Sequence, residues 1–180
     1  MKLVTYRLDQ NEARLGVLKD SLLIDVQQFG ERVNLNLSSS MQDFIELGPI
    51  AVETLDTALE ESVTKDLVGI SVPFENAKIL APIPRPKKNI FGIGLNYKDH
   101  IGEASKALDT PSGLPKEPVI FSKFPTAVIG NHDPICHNQE ITKQLDWEAE
   151  LAVIIGTKCD RVHKKDALDH VFGYTVIIDI

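Results

Sequence analysis

Three short runs open the chain, "KLVTYRL", "EARLGVLKD" and "SLLIDV", each rich in Val, Leu and Ile. A turn-like "DQN" parts the first two, and the pattern predicts an antiparallel meander. The period then changes. In "SSSMQDFIELGPIAVETLDTALEES" Ile50, Leu55 and Leu59 recur at roughly helical spacing, behind a serine run that offers N-caps. Gly48-Pro49 breaks or restarts that helix, because proline lacks the backbone N–H. Residues 1–72 thus read as a small N-terminal α+β domain, in which the sequence shows no chemistry.

A stiff connector follows. "LAPIPRPKKNI" places prolines at 82, 84 and 86, a density that favours extended chain. Beyond it, "NIFGIGLNY" predicts a strand running into a glycine-punctuated turn. "YKDHIGEASKAL" predicts a short helix with Asn96 as N-cap and Asp99 at its third position. "EPVIFSKFPTAVIG" predicts a strand interrupted at Pro125, and "NHDPICHNQE" a loop. "WEAELAVIIG" predicts a strand, "KKDALDHVFG" a short helix ended by Gly173, and "YTVIIDI" a last strand. Residues 73–180 are taken as the second domain.

The strand "QLDWEAELAVIIG" changes the picture most. Asp146, Glu148 and Glu150 alternate with Trp147, Ala149 and Leu151, and Ala152 to Ile155 are apolar throughout. Side chains alternate along a strand, so Glu148 and Glu150 face the same way, about 7 Å apart. Like charges so placed repel. Either the face is open to water, or a hard divalent cation sits before it. The uninterrupted apolar stretch that follows puts these acids at the mouth of a core. Asp179 lies near the end of "TVIIDI", where a carboxylate costs several kcal/mol unless paired or metal-bound.

Other candidates are weaker on their own. His100 and Glu103 stand three apart on a predicted helix, so the carboxylate can fix the imidazole tautomer and raise its basicity. An exposed surface pair has the same spacing. Lys123 interrupts an apolar strand, where a lysine can stabilise an oxyanion or enolate, or snorkel at the edge. Gly92-x-Gly94 lacks the third glycine and the βαβ pattern of a dinucleotide site. His132, Cys136 and His137 match no standard zinc spacing.

Composition excludes several classes. With 43% hydrophobic and 25% charged residues, the 180-residue chain can build a packed core. A net charge of −7 argues against nucleic acid or an anionic membrane as partner. No run of about 18 apolar residues is present, so no membrane-spanning helix is expected. "MKLVTYRLDQ" has no apolar signal-peptide segment, and the two cysteines, Cys136 and Cys159, form no disulfide framework. A cytoplasmic location is expected.

Taken in order, "GLNYKDHIGE", "PVIFSKFPTAVIG", "DWEAELAVIIG" and "DALDHVFGYTVIID" closely resemble the fumarylacetoacetate hydrolase family. The resemblance spans about residues 78–180, and the leading unit resembles that of bacterial members with a small N-terminal domain. It implies an α+β, mostly β fold, with part of a mixed β-roll after the N-terminal unit, and a homodimer in the full-length form. It implies Mg²⁺ or Mn²⁺ held by Glu148, Glu150 and Asp179, a water-activating pair His100–Glu103, and Lys123 near the substrate. The ion would then relieve the repulsion between the strand acids. The implied substrates are 2-oxo or 1,3-dioxo acids, undergoing C–C hydrolysis, decarboxylation or keto–enol isomerisation.

Two departures stand out. The family has Asn before the metal aspartate, where this chain has Ile178. The family domain also runs on past that aspartate, so the chain is expected to be C-terminally truncated, inactive alone and prone to associate through its last strand. The competing expectation is a truncated, non-catalytic metal-binding or assembly module of the same fold.

Overall fold

The computed structural model describes residues 1–97 and 115–180. Five strands of the N-terminal region form one antiparallel sheet: β1 (Lys2–Arg7), β2 (Arg14–Lys19), β3 (Leu22–Asp25), β4 (Ser71–Pro73) and β5 (Lys78–Ile79), in the order β4-β3-β2-β1-β5. The first three are the expected meander, with Val4 opposite Gly16 and Val17 opposite Ile24. Asp20, between β2 and β3, takes φ +55°, a left-handed conformation that Asp tolerates better than most residues.

Four helices lie between β3 and β4: α1 (Val26–Val33), α2 (Met41–Glu46), α3 (Pro49–Glu61) and α4 (Thr64–Leu67). Ser40 caps α2 by accepting the Asp43 N–H, as the serine run suggested. Gly48 at φ +82°, with Pro49 as first helical residue, does separate α2 from α3. Leu55 and Leu59 are buried on α3, whereas Ile50 is 74% exposed. It occupies the first turn, and its side chain falls outside the stripe that faces the sheet.

Among the described residues every fully buried apolar side chain lies between Tyr6 and Ile70. Leu15, Ile24, Val26, Phe29, Phe44 and Leu55 centre that core. Within it sits a polar knot. Asp25 caps α1 by accepting the Gln28 N–H at 2.9 Å, accepts the Tyr6 hydroxyl at 2.8 Å, and takes a two-pronged hydrogen bond from Arg14. Burial pushes the Asp25 carboxyl up, but the Arg14, Gln28 and Tyr6 bonds outweigh it and hold it below the usual carboxylate range. Burial and the Asp25 carboxylate together push the Tyr6 hydroxyl well above its ordinary value.

Contacts group Met1–Pro84 with Ile129–Ile180, and Arg85–Val128 apart from them. This grouping does not follow the division at residue 72. Within the first group, Phe172 meets Phe44 edge to face at 6.3 Å, and Ile154 packs on the same core. Lys78 also pairs with Asp133 at 2.7 Å, whose other oxygen accepts the Gly130 N–H. The 72/73 boundary remains a proposal about folding units.

Two antiparallel ribbons complete the described structure. In the first group, β8 (Glu148–Ile155) pairs with β9 (Val171–Asp179). In the second, β6 (Ile90–Gly94) pairs with β7 (Val119–Lys123), and a 3-10 turn begins at Pro125, where the expected strand was interrupted. The helix expected in "KKDALDHVFG" is a 3-10 helix, Lys164–His170. Gly173 does not end it: β9 starts at Val171, and Gly173 lies opposite Ile154. The β-formers Val171 and Phe172 take the chain into the ribbon first. No described helix is long and apolar enough to cross a membrane.

Candidate active site

The β8–β9 register decides which acids meet. Glu148 stands directly opposite Asp179, and Glu150 opposite Ile177. Residues opposite each other share a face, and residues two apart on one strand share it too. Glu148, Glu150 and Asp179 therefore stand together on one face of the ribbon, brought from two strands. Glu150 and Asp179 are half-buried and Glu148 is exposed. Asp146 does not join them: it precedes β8, and its Oδ1 accepts the Trp147 N–H at 2.8 Å.

Three carboxylates on one face are a hard-oxygen donor set, which fits Mg²⁺ or Mn²⁺ rather than a soft metal. The backbone register sets the three carboxylates on one face, but the side chains are not drawn into a cluster: no group of three or more that could hold a metal is closed among the described residues.

The same register settles where Ile178 points. It lies opposite Ala149, on the face away from the carboxylates, and is 61% exposed. The apolar residue in place of the family's Asn thus extends the back of the ribbon and does not stand among the three carboxylates. That back face carries Leu151, Val153 and Ile155 of β8 and Tyr174, Val176 and Ile178 of β9, all exposed. The expectation that "AVII" enters a core on both sides needs correcting. Only the acid-bearing side is partly covered, through Ala152 and Ile154.

Lys123 is the last residue of β7, half-buried, opposite Ile90. Its Nζ lies 6.0 Å from the centre of the Phe121 ring. His100 and Glu103 lie outside the described residues. In the loop before β8, His137 Nε2 lies 2.8 Å from the Thr142 carbonyl oxygen, and Cys136 is exposed.

Reading the sequence missed the Asp25–Arg14–Tyr6 knot. The available signal was a lone Asp at the seam between a β-rich run and a helix, the position of an N-cap. The arginine that joins it comes from another strand, and no local pattern announces that.

Residues 89–180 match the family described as fumarylacetoacetate (FAA) hydrolase C-terminal. The whole chain is 37% identical to an oxaloacetate tautomerase, fahd2, mitochondrial, of Xenopus laevis, spanning 52% of it. Over 64% of the chain it is 48% identical to the oxaloacetate tautomerase YisK of Bacillus subtilis, spanning 37% of that protein. Among solved structures, a fumarylacetoacetate hydrolase from Exiguobacterium antarcticum matches with TM-score 0.68 at 32% identity, over 98% of this chain and 55% of that one. A maleylpyruvate hydrolase from Sphingobium sp. SYK-6, solved with manganese(II) and pyruvate, matches in fold with TM-score 0.69 at 24% identity, over 99% of this chain and 58% of that one. This α+β, mostly β chain belongs to the fumarylacetoacetate hydrolase family. It spans about half the length of the curated relatives that it matches end to end.

Proposed function

We propose that the chain is part of a divalent-metal-dependent enzyme acting on a 2-oxo acid, with keto–enol interconversion of oxaloacetate as its reaction. The observation that carries the reading is the placement of Glu148 opposite Asp179, with Glu150 beside them on the same face. The names of the relatives support the substrate. The Sphingobium structure supports the ion class, with Mg²⁺ or Mn²⁺ left open.

Glu148, Glu150 and Asp179 would hold the ion. When bound, it would supply positive charge to the substrate carbonyl oxygen and so ease loss of a neighbouring C–H proton. The chain's residues do the rest. The His100–Glu103 pair accepts the proton at the carbon next to the carbonyl, Glu103 keeping the imidazole in the accepting tautomer. Lys123 offers its ammonium to an anionic oxygen of the substrate. Returning the proton to oxygen completes the isomerisation, and no water is consumed. The same pair acting on water would give C–C hydrolysis, so the fold alone does not choose the reaction. A homodimer and a cytoplasmic location belong to this proposal and follow from the family resemblance and the composition.

The test follows the absorbance of the oxaloacetate enol in the presence of Mn²⁺ or Mg²⁺, at limiting protein. In the full-length protein that contains this chain, accelerated equilibration that is lost on chelation and in Glu148→Gln is expected. Equal rates with and without metal in that full-length protein would overturn the reading.

A further inference from the structure

The β6–β7 ribbon contains an arrangement that core packing does not account for. Gly92 faces Phe121 directly across the ribbon, and Ile90 faces Lys123. Alternation puts Phe121, Lys123, Gly92 and Ile90 on one face. A Cβ built on Gly92 would lie 2.2 Å from Phe121 Cζ and 2.6 Å from both Cε atoms. The ring therefore leans across the ribbon and fills the space over the glycine, the aromatic–glycine pairing known from strand edges. Phe121 remains 41% exposed, so the ring is only partly buried there. The consequence of this placement is local: the ring stands 6.0 Å from the Lys123 ammonium, within the range of cation–π attraction. A lysine stem has four rotatable bonds and ordinarily samples many rotamers. A ring fixed beside it narrows that choice.

We infer that Phe121, laid across Gly92, is a positioning residue that holds the Lys123 ammonium on one face of the β6–β7 ribbon. Its value for catalysis rests on the reading that Lys123 meets an anionic oxygen of a 2-oxo acid. Gly92 is the second part of the device, because any side chain there pushes the ring away.

Three variants of the full chain test this: Phe121→Leu, Phe121→Tyr and Gly92→Ala. Lysines are reductively methylated with carbon-13 formaldehyde, and the Lys123 signal is assigned by its disappearance in Lys123→Arg. In the wild-type chain the Lys123 methyl resonance is displaced upfield by the ring. Phe121→Leu and Gly92→Ala are expected to return it towards the free-lysine position, and Phe121→Tyr to keep it. A Lys123 resonance identical in wild type and Phe121→Leu would overturn the inference whether or not the chain turns over substrate. The second readout is KM for oxaloacetate, expected to rise about two- to fivefold in Phe121→Leu with kcat little changed, the size of one partly exposed cation–π contact. Phe121→Tyr should leave it near wild type. Loss of the upfield shift with KM unmoved leaves the positioning intact and overturns the role given to Lys123.

Discussion

Glu148 and Asp179 are direct cross-strand partners, at the start of β8 and the end of β9. Side chains so paired have Cβ atoms about 5 Å apart, and two carboxylates at that spacing repel. Glu150 adds a third on the same face. Sheet pairing by itself does not favour three like charges on one face. Under the proposed function a divalent ion before that face would relieve the repulsion.

Metal binding should therefore raise stability. With Mn²⁺ or Mg²⁺ at about a hundred times its dissociation constant, linkage gives roughly 3 kcal/mol. Glu148→Gln and Asp179→Asn should reduce that gain while raising the metal-free stability slightly, since each removes a repulsion. Thermal unfolding with and without metal measures both. Equal metal-induced shifts in all three proteins would count against the assignment.

In the full-length enzyme, His100→Ala should lower turnover by about 10²–10⁴-fold, the usual worth of a general base. Metal affinity should hardly change, because His100 is assigned to the proton and not to the ion. Titration calorimetry alongside the oxaloacetate assay separates the two. Loss of metal binding would make His100 a ligand.

The knot around Asp25 governs acid stability. Its carboxyl is held below its ordinary value in the folded chain, so the unfolded chain binds the proton more readily. The stabilisation is complete above pH about 4, the unfolded carboxyl range, and is lost as the pH falls through the lower folded value. Asp25→Asn should cost about 2 kcal/mol near neutrality, because Arg14 and Tyr6 lose a charged partner. It should also flatten the acid limb of the stability curve. Urea unfolding between pH 2 and pH 7 would show an unchanged limb if Asp25 did not matter.

The apolar back of the β8–β9 ribbon should make the isolated chain self-associate. Six exposed side chains, from Leu151 to Ile178, share one face of the ribbon, and contiguous exposed apolar faces mark association sites. Val176, 75% exposed, can be exchanged for lysine without disturbing a core. Val176→Lys should shift light scattering towards the monomer with little change in melting temperature. Monodisperse wild-type protein at high concentration would refute the prediction.

Local features were legible in the residue pattern. Runs rich in Val and Leu in "KLVTYRL" and "EARLGVLKD", parted by a turn, set β1 and β2, Gly48-Pro49 divided α2 from α3, and the ordered motifs set the family. Alternation also put Glu148 and Glu150 on one face, because the two-residue period of a strand needs no tertiary information. Three things depended on the fold. The register of β9 against β8 carried Asp179 to Glu148 and turned Ile178 to the other side, and a one-residue slip would have exchanged them. Arg14 and Tyr6 reached Asp25 from neighbouring strands. Phe121 leaned over Gly92 because β7 lies beside β6. Each is a contact between segments distant in sequence. Local propensity fixes which way a side chain faces along its own element, and only the pairing of elements fixes what it meets there.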